Sequence, residues 1–119
     1  GAIRLYSNSF DVIVMDNIIT NNYAAFTMQY YDTSDAQIYN NTICNNEEVV
    51  SYLEGCTFTM RNSIIYGNTY NFGYTRINCL ESDPMFYSSP SGVGPGNYGS
   101  GVNLYPQANS PAVDAGDTT

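Results

Sequence analysis

Carboxylates are the only abundant groups in this chain able to handle protons near neutral pH. Eleven Asp and Glu stand against three Arg, with no Lys and no His, giving a formal net charge of −8. General acid/base work would therefore fall to facing carboxylates, as in glycoside cleavage. A repeat described below puts Asp11 and Asp35 at equivalent positions and sets Asp16 near Asn40. Adjacent carboxylates of that kind could share a proton or hold Ca²⁺. Capping of turns is the commoner role of such residues and is the expected one. Arg61 could neutralise a uronate, but a solvated arginine is expected. Asp114-Ala115-Gly116-Asp117 has the look of a calcium loop without the full acidic spacing, so a turn is expected. The spacing thus points to no catalytic residue, no cofactor and no metal site, with Ca²⁺ the one ion left open.

Cys44, Cys56 and Cys79 lack the paired spacing of a zinc site. Cys56 and Cys79 lie one repeat apart, so a disulfide between neighbouring turns is open, and would fit an oxidising compartment. Cys44 falls in an outward column and is expected to be free. Asn40-Asn41-Thr42 is a glycosylation sequon, though Asn40 is wanted for stacking. Tyr39, Arg61 and Tyr66 fall at outward positions and form the expected ligand or partner face. Tyrosines among neutral amides suit sugar rings and protein contacts equally, and tyrosine is also simply a good strand residue.

The elements that position these groups follow from a repeat. Residues 12–22, 36–46 and 58–68 superpose, with offsets of 24 and 22 residues; a second column runs through 3–5, 26–28, 50–52 and 72–74. Within each unit apolar and polar residues alternate, the period of a strand. Val12, Ala36 and Phe58, then Val14, Ile38 and Met60, then Ile19, Ile43 and Ile65 would point inward. One such unit cannot bury its own apolar row, whereas stacked units make a continuous core. The expectation is an all-β solenoid, a right-handed single-stranded parallel β-helix of four to five coils of 22–24 residues. Asn22, Asn46 and Asn68 share one position, and Asn40 and Asn62, after Asp16, share another. Stacked amides at such positions can hydrogen-bond along the column as ladders.

The repeat fades near Asn78, which divides the chain into coils over 1–80 and an irregular capping segment over 81–119 of the same domain. Asn-rich coils followed by Asp83-Pro84-Met85-Phe86, a Gly-rich insert and Asn109-Ser110-Pro111-Ala112-Val113-Asp114-Ala115-Gly116-Asp117 resemble secreted bacterial right-handed β-helix proteins. These include the polymorphic outer-membrane-protein-like and choice-of-anchor groups of the broad pectate-lyase-like superfamily. The resemblance spans essentially the whole chain and implies the last coils of a solenoid plus its C-terminal cap. Phe86, Val102, Leu104 and Val113 would then cover the end of the stack, and Pro84 and Pro111 would stop its ladder.

The first coil opens without such a device. The chain is therefore expected to be a fragment of a longer β-helix, or a subunit whose open end stacks on another copy. Its acidity disfavours nucleic acid and anionic membranes as partners. No apolar run approaches the roughly 18 residues needed to cross a bilayer. The expected role is non-catalytic: an extracellular or cell-surface stalk, adhesin or filament unit. The alternative is the C-terminal part of a polysaccharide lyase or hydrolase, or a glycan-binding module with polysaccharide as partner.

Overall fold

Alternating short apolar runs broken by Asn, Asp and Gly cannot bury one face of a helix, so the chain pairs as strands. The computed structural model describes residues 2–5, 12–28, 35–52, 57–71, 74–113 and 115, and every regular element among them is a strand. Three parallel sheets are built from strands that recur three elements apart, except that the last strand of the second follows its neighbour by two. The first holds β1 (Ile3–Leu5), β4 (Ala24–Met28) and β7 (Glu48–Tyr52). The second holds β2 (Ile13–Met15), β5 (Asp35–Tyr39), β8 (Thr57–Arg61) and β10 (Thr75–Ile77). The third holds β3 (Ile18–Thr20), β6 (Thr42–Cys44) and β9 (Ile64–Tyr66).

The register follows the repeat. Ile13 pairs with Gln37 and Gln37 with Thr59, while Ile19 pairs with Ile43 and Ile43 with Ile65. The last step is shorter. Thr59 pairs with Thr75 and Ile64 with Leu80, so six residues drop out of the final turn. This displaces Cys79 from the expected alignment: it follows Ser63 in register, not Cys56.

Burial follows the alternation. Val14, Ile38 and Met60 are buried in the second sheet, Ile19, Ile43 and Ile65 in the third, Phe26 and Val50 in the first, and all belong to one cluster. Each such side chain taken from water contributes about 1.5–3 kcal/mol. The corners are made by residues that accept a left-handed backbone. Asp16, Asn40, Asn62 and Asn78 take φ of 60°, 54°, 53° and 51° between the second and third sheets. Asn21, Asn45 and Gly67 take 58°, 55° and 74° at the far end of the third. Asn, Asp and Gly are the residues for which this conformation costs least.

The C-terminal segment corrects one expectation. Phe86 and Leu104, on the antiparallel pair β11 (Phe86–Ser88) and β12 (Asn103–Pro106), pack against Cys44, with Ile64 and Val102 at the margin. Cys44 lies in the middle strand of the third sheet, and its neighbour Ile43 faces the core. The segment therefore covers the flank of that sheet, not the end of the stack, and Val113 stays 49% exposed. The physical reason is the small outward pair Thr20 and Cys44, which leaves an apolar shelf beside Ile64. The two motifs that carried the resemblance meet in space. Ser110 Oγ donates to Pro84 O, Gln107 N to Met85 O at 2.9 Å, and Gln107 Nε2 to Phe86 O at 3.3 Å.

Candidate functional site: two side-chain ladders and an outer recess

At each corner the residue after the left-handed one turns its side chain into the stack. Asn22 N and Nδ2 donate to Asn46 Oδ1 at 2.9 and 3.0 Å, and Asn46 N and Nδ2 donate to Asn68 Oδ1 at 2.9 and 3.0 Å. Each amide also returns a bond to the preceding turn: Asn46 Nδ2 to Ile19 O and Asn68 Nδ2 to Ile43 O, both at 3.0 Å. Asn46 is fully buried with its polar atoms engaged, which removes the penalty that a bare buried amide would carry.

The second expected ladder lies one residue away from its expected place. Asn40 and Asn62 are left-handed corner residues, whereas the ladder at this corner runs through Asn17, Asn41, Ser63 and Cys79. Asn17 N donates to Asn41 Oδ1 at 2.9 Å, Asn41 N to Ser63 Oγ at 3.1 Å, and Asn41 Nδ2 to Val14 O at 3.0 Å. The Cys79 thiol takes the same position, 3.3 Å from Met60 O. It is a free cysteine, and Cys56, named with it as a possible disulfide, lies outside the described residues. Asn62 does join a side-chain contact at the lower end, accepting from Asn78 Nδ2 at 2.9 Å.

The expected face of Tyr39, Arg61 and Tyr66 is split. Tyr39 and Arg61 are register partners in the second sheet, and the Tyr39 hydroxyl donates to Gln37 Oε1. Tyr66 belongs to the third sheet, in register with Cys44. The two-residue corner between β8 and β9 turns its side chain away from the other two. Cys44 is likewise not the exposed thiol expected of an outward column. Its side chain is sealed beneath the C-terminal pair, and burial pushes its pKa up, with a hydrogen bond to Thr20 Oγ1 opposing.

Of the carboxylates singled out in the sequence, only Asp16 lies wholly among the described residues. Asp16 is exposed at its corner, whereas Asp11, Asp114, Gly116 and Asp117, and the Asp35 side chain, lie outside the described residues. Among the described residues no three His, Cys, Asp or Glu side chains converge as a metal would need. Arg76 is engaged locally: its Nε lies 2.8 Å from a Glu81 carboxylate oxygen, and its guanidinium stacks 4.5 Å from the Tyr74 ring centre.

A different group of residues does converge, on the outer side of the first sheet. Tyr23, Glu47, Glu48 and Tyr70 border a recess of about 280 Å³ floored by Thr27 and Ser51. Thr27 and Ser51 are register partners, as are Ala24 and Glu48, and Glu48 bridges to Tyr70. Arg4 heads the Thr27 column. The offsets that align Asn22, Asn46 and Asn68 also place Glu47 and Glu48 between Tyr23 and Tyr70. The signal was present in the repeat and was hidden by unlike residue types. The C-terminal segment passes close to Glu47: a side chain at Gly94 would fall 2.8 Å from Glu47 Oε1. Gly92 O and Gly94 O accept from Asn21 Nδ2 at 2.9 and 3.1 Å, and Gly94 N donates to Asn45 O at 2.8 Å.

No family model, no curated protein and no solved structure matches the chain.

Proposed function

We propose that the three parallel sheets are the faces of a right-handed parallel β-helix, and that the chain is a non-catalytic structural segment of an extracellular or cell-surface protein. Crossovers between parallel strands of one sheet are almost always right-handed, which supports the sense of winding. The family resemblance of the Asn-rich turns and the two C-terminal motifs supports the location and a stalk, adhesive or assembly role. With no Lys and no His in the sequence, proton abstraction near neutral pH would fall to carboxylates alone.

The observation that carries this reading is the polarity of the ladders. Below the head of each column, every Oδ1 takes a backbone N–H from the turn before it, and every Nδ2 returns a bond to a carbonyl of that turn. Asn17 and Asn22 head the two columns among the described residues, and β1, β2 and β3 each have one strand neighbour there. A further turn, from a second copy or from the same polypeptide, would extend both ladders without new chemistry. The test is sedimentation velocity and electron microscopy across a concentration series. Concentration-dependent elongated assemblies support self-stacking. A compact monomer at every concentration contradicts self-stacking for this chain and leaves only stacking within a longer polypeptide.

The recess between Tyr23 and Tyr70 favours a second reading, a glycan-binding module or part of a carbohydrate-active enzyme, because aromatic rings beside hydroxyls and carboxylates suit sugars. Release of reducing ends or unsaturated uronides from polysaccharide would establish that reading and overturn the non-catalytic one.

A further inference from the structure

We propose that Asn40 is an acceptor for N-linked glycosylation. Of the chain's fifteen asparagines, only Asn40 begins an Asn-x-Ser/Thr triplet, Asn40-Asn41-Thr42. In the sequence, Asn40 is the residue expected to stack. The fold assigns that task to the next residue. Asn41 is 2% exposed and spends its amide on Val14 O, Tyr39 O and the N–H of Asn17. Asn40 is exposed, at a left-handed corner with φ of 54°, and its backbone N–H is already engaged by Arg61 O at 3.1 Å. A sugar on Asn40 Nδ2 would project from the corner without breaking a ladder bond, whereas one on Asn41 would pull a buried amide out of the ladder and away from four hydrogen bonds. Thr42, the third residue of the triplet, is partly exposed on the outer side of β6.

The step is a substitution at the sugar. Asn40 Nδ2 loses a proton and bonds to C1 of a sugar activated on a pyrophosphate, and the C1–oxygen bond breaks with the diphosphate as leaving group. Nothing is oxidised or reduced. Two donors share this chemistry: a lipid-pyrophosphate oligosaccharide and a nucleoside-diphosphate hexose.

Two arms of one experiment separate them. The full chain is secreted through a eukaryotic pathway that uses the lipid donor. The folded chain is separately incubated with a soluble asparagine hexosyltransferase and nucleoside-diphosphate hexose. Intact mass and peptide mapping read both arms. The expected result is added sugar mass at Asn40 in at least one arm, and the arm in which it appears names the donor. The mass is lost in Asn40→Gln and Thr42→Ala and retained in Thr42→Ser, which keeps the triplet and answers any folding defect. Folded protein without added mass in both arms, or sugar mapped to another residue, overturns the proposal.

Discussion

At the corners 21–22, 40–41 and 45–46 of this chain, asparagine performs two different tasks, one residue apart. The first accepts a left-handed backbone; the second fills the interior of the turn with hydrogen bonds. The tasks make opposite demands on substitution. Asn46→Ala removes a buried amide and strands the Asn22 N–H, the Asn68 Oδ1 contact and two carbonyls. It should cost about 2–4 kcal/mol at roughly 1–3 kcal/mol per buried group left unsatisfied. Asn40→Gly keeps the corner conformation and should change stability by less than about 1 kcal/mol. Urea denaturation of the pair checks both, and equal losses would contradict the division of labour. The repeat made both asparagine columns legible, but residue type alone does not say which of two adjacent asparagines turns inward. At 21–22, 40–41 and 45–46 both positions are Asn, and the inner column is disguised further along by Ser63 and Cys79. Cys44 poses the same problem, since alternation places it outward and only tertiary packing buries it. Its thiol pKa is raised by burial above the ordinary value of about 8.5. On raising the pH the unfolded thiol ionises first, so this contribution to stability is whole below about pH 8 and is lost as pH climbs towards the folded pKa. The urea midpoint should fall between pH 7.5 and 10 more steeply in the parent than in Cys44→Ala.

At the scale of the element, the C-terminal segment behaves as a strap across the third sheet. Its apolar anchors are Phe86 and Leu104, and its polar anchors are the corner side chains of Asn21 and Asn45, which reach Gly92 O. Leu104→Ala should cost about 2–5 kcal/mol, as for other buried Leu truncations, and should expose the shelf beneath it. The sharper readout is Cys44: alkylation by a maleimide should be slow in the parent and at least tenfold faster in Leu104→Ala. An unchanged rate would mean the segment does not seal Cys44. Gly94→Ala should loosen the same strap by about 1–2 kcal/mol, because φ there is +83° and a side chain would crowd Glu47. Faster Cys44 alkylation with little change in far-ultraviolet circular dichroism is the expected signature. From sequence the segment read as a cap over the end of the stack. Its turn residues and apolar anchors were recognisable, but where it would land was not. That depended on the small outward residues Thr20 and Cys44 of a sheet some forty to eighty residues away in the chain.

At the scale of the whole molecule, parallel pairing at fixed offsets was the most legible feature, because two independent columns share one period. Strands β2, β5 and β8 run at 24 and 22 residues, the spacing visible in Val14, Ile38 and Met60. The shortened last turn was not legible, since losing six residues between Thr59 and Thr75 leaves no composition signal and shifts Cys79 out of its expected column. Function was less legible than fold for a related reason: the repeat fixes which residues stack, whereas the outer recess depends on unlike residues meeting across turns. Register partners such as Ile19, Ile43 and Ile65 lie over one another, one strand spacing of about 4.8 Å apart. Methyl–methyl nuclear Overhauser contacts in specifically isotope-labelled protein test this directly. Ile19–Ile43 and Ile43–Ile65 cross-peaks should be strong, and an Ile19–Ile65 cross-peak should be weak or missing, as those residues are two turns apart. Absence of both adjacent contacts, or a strong Ile19–Ile65 contact, would contradict the stacking.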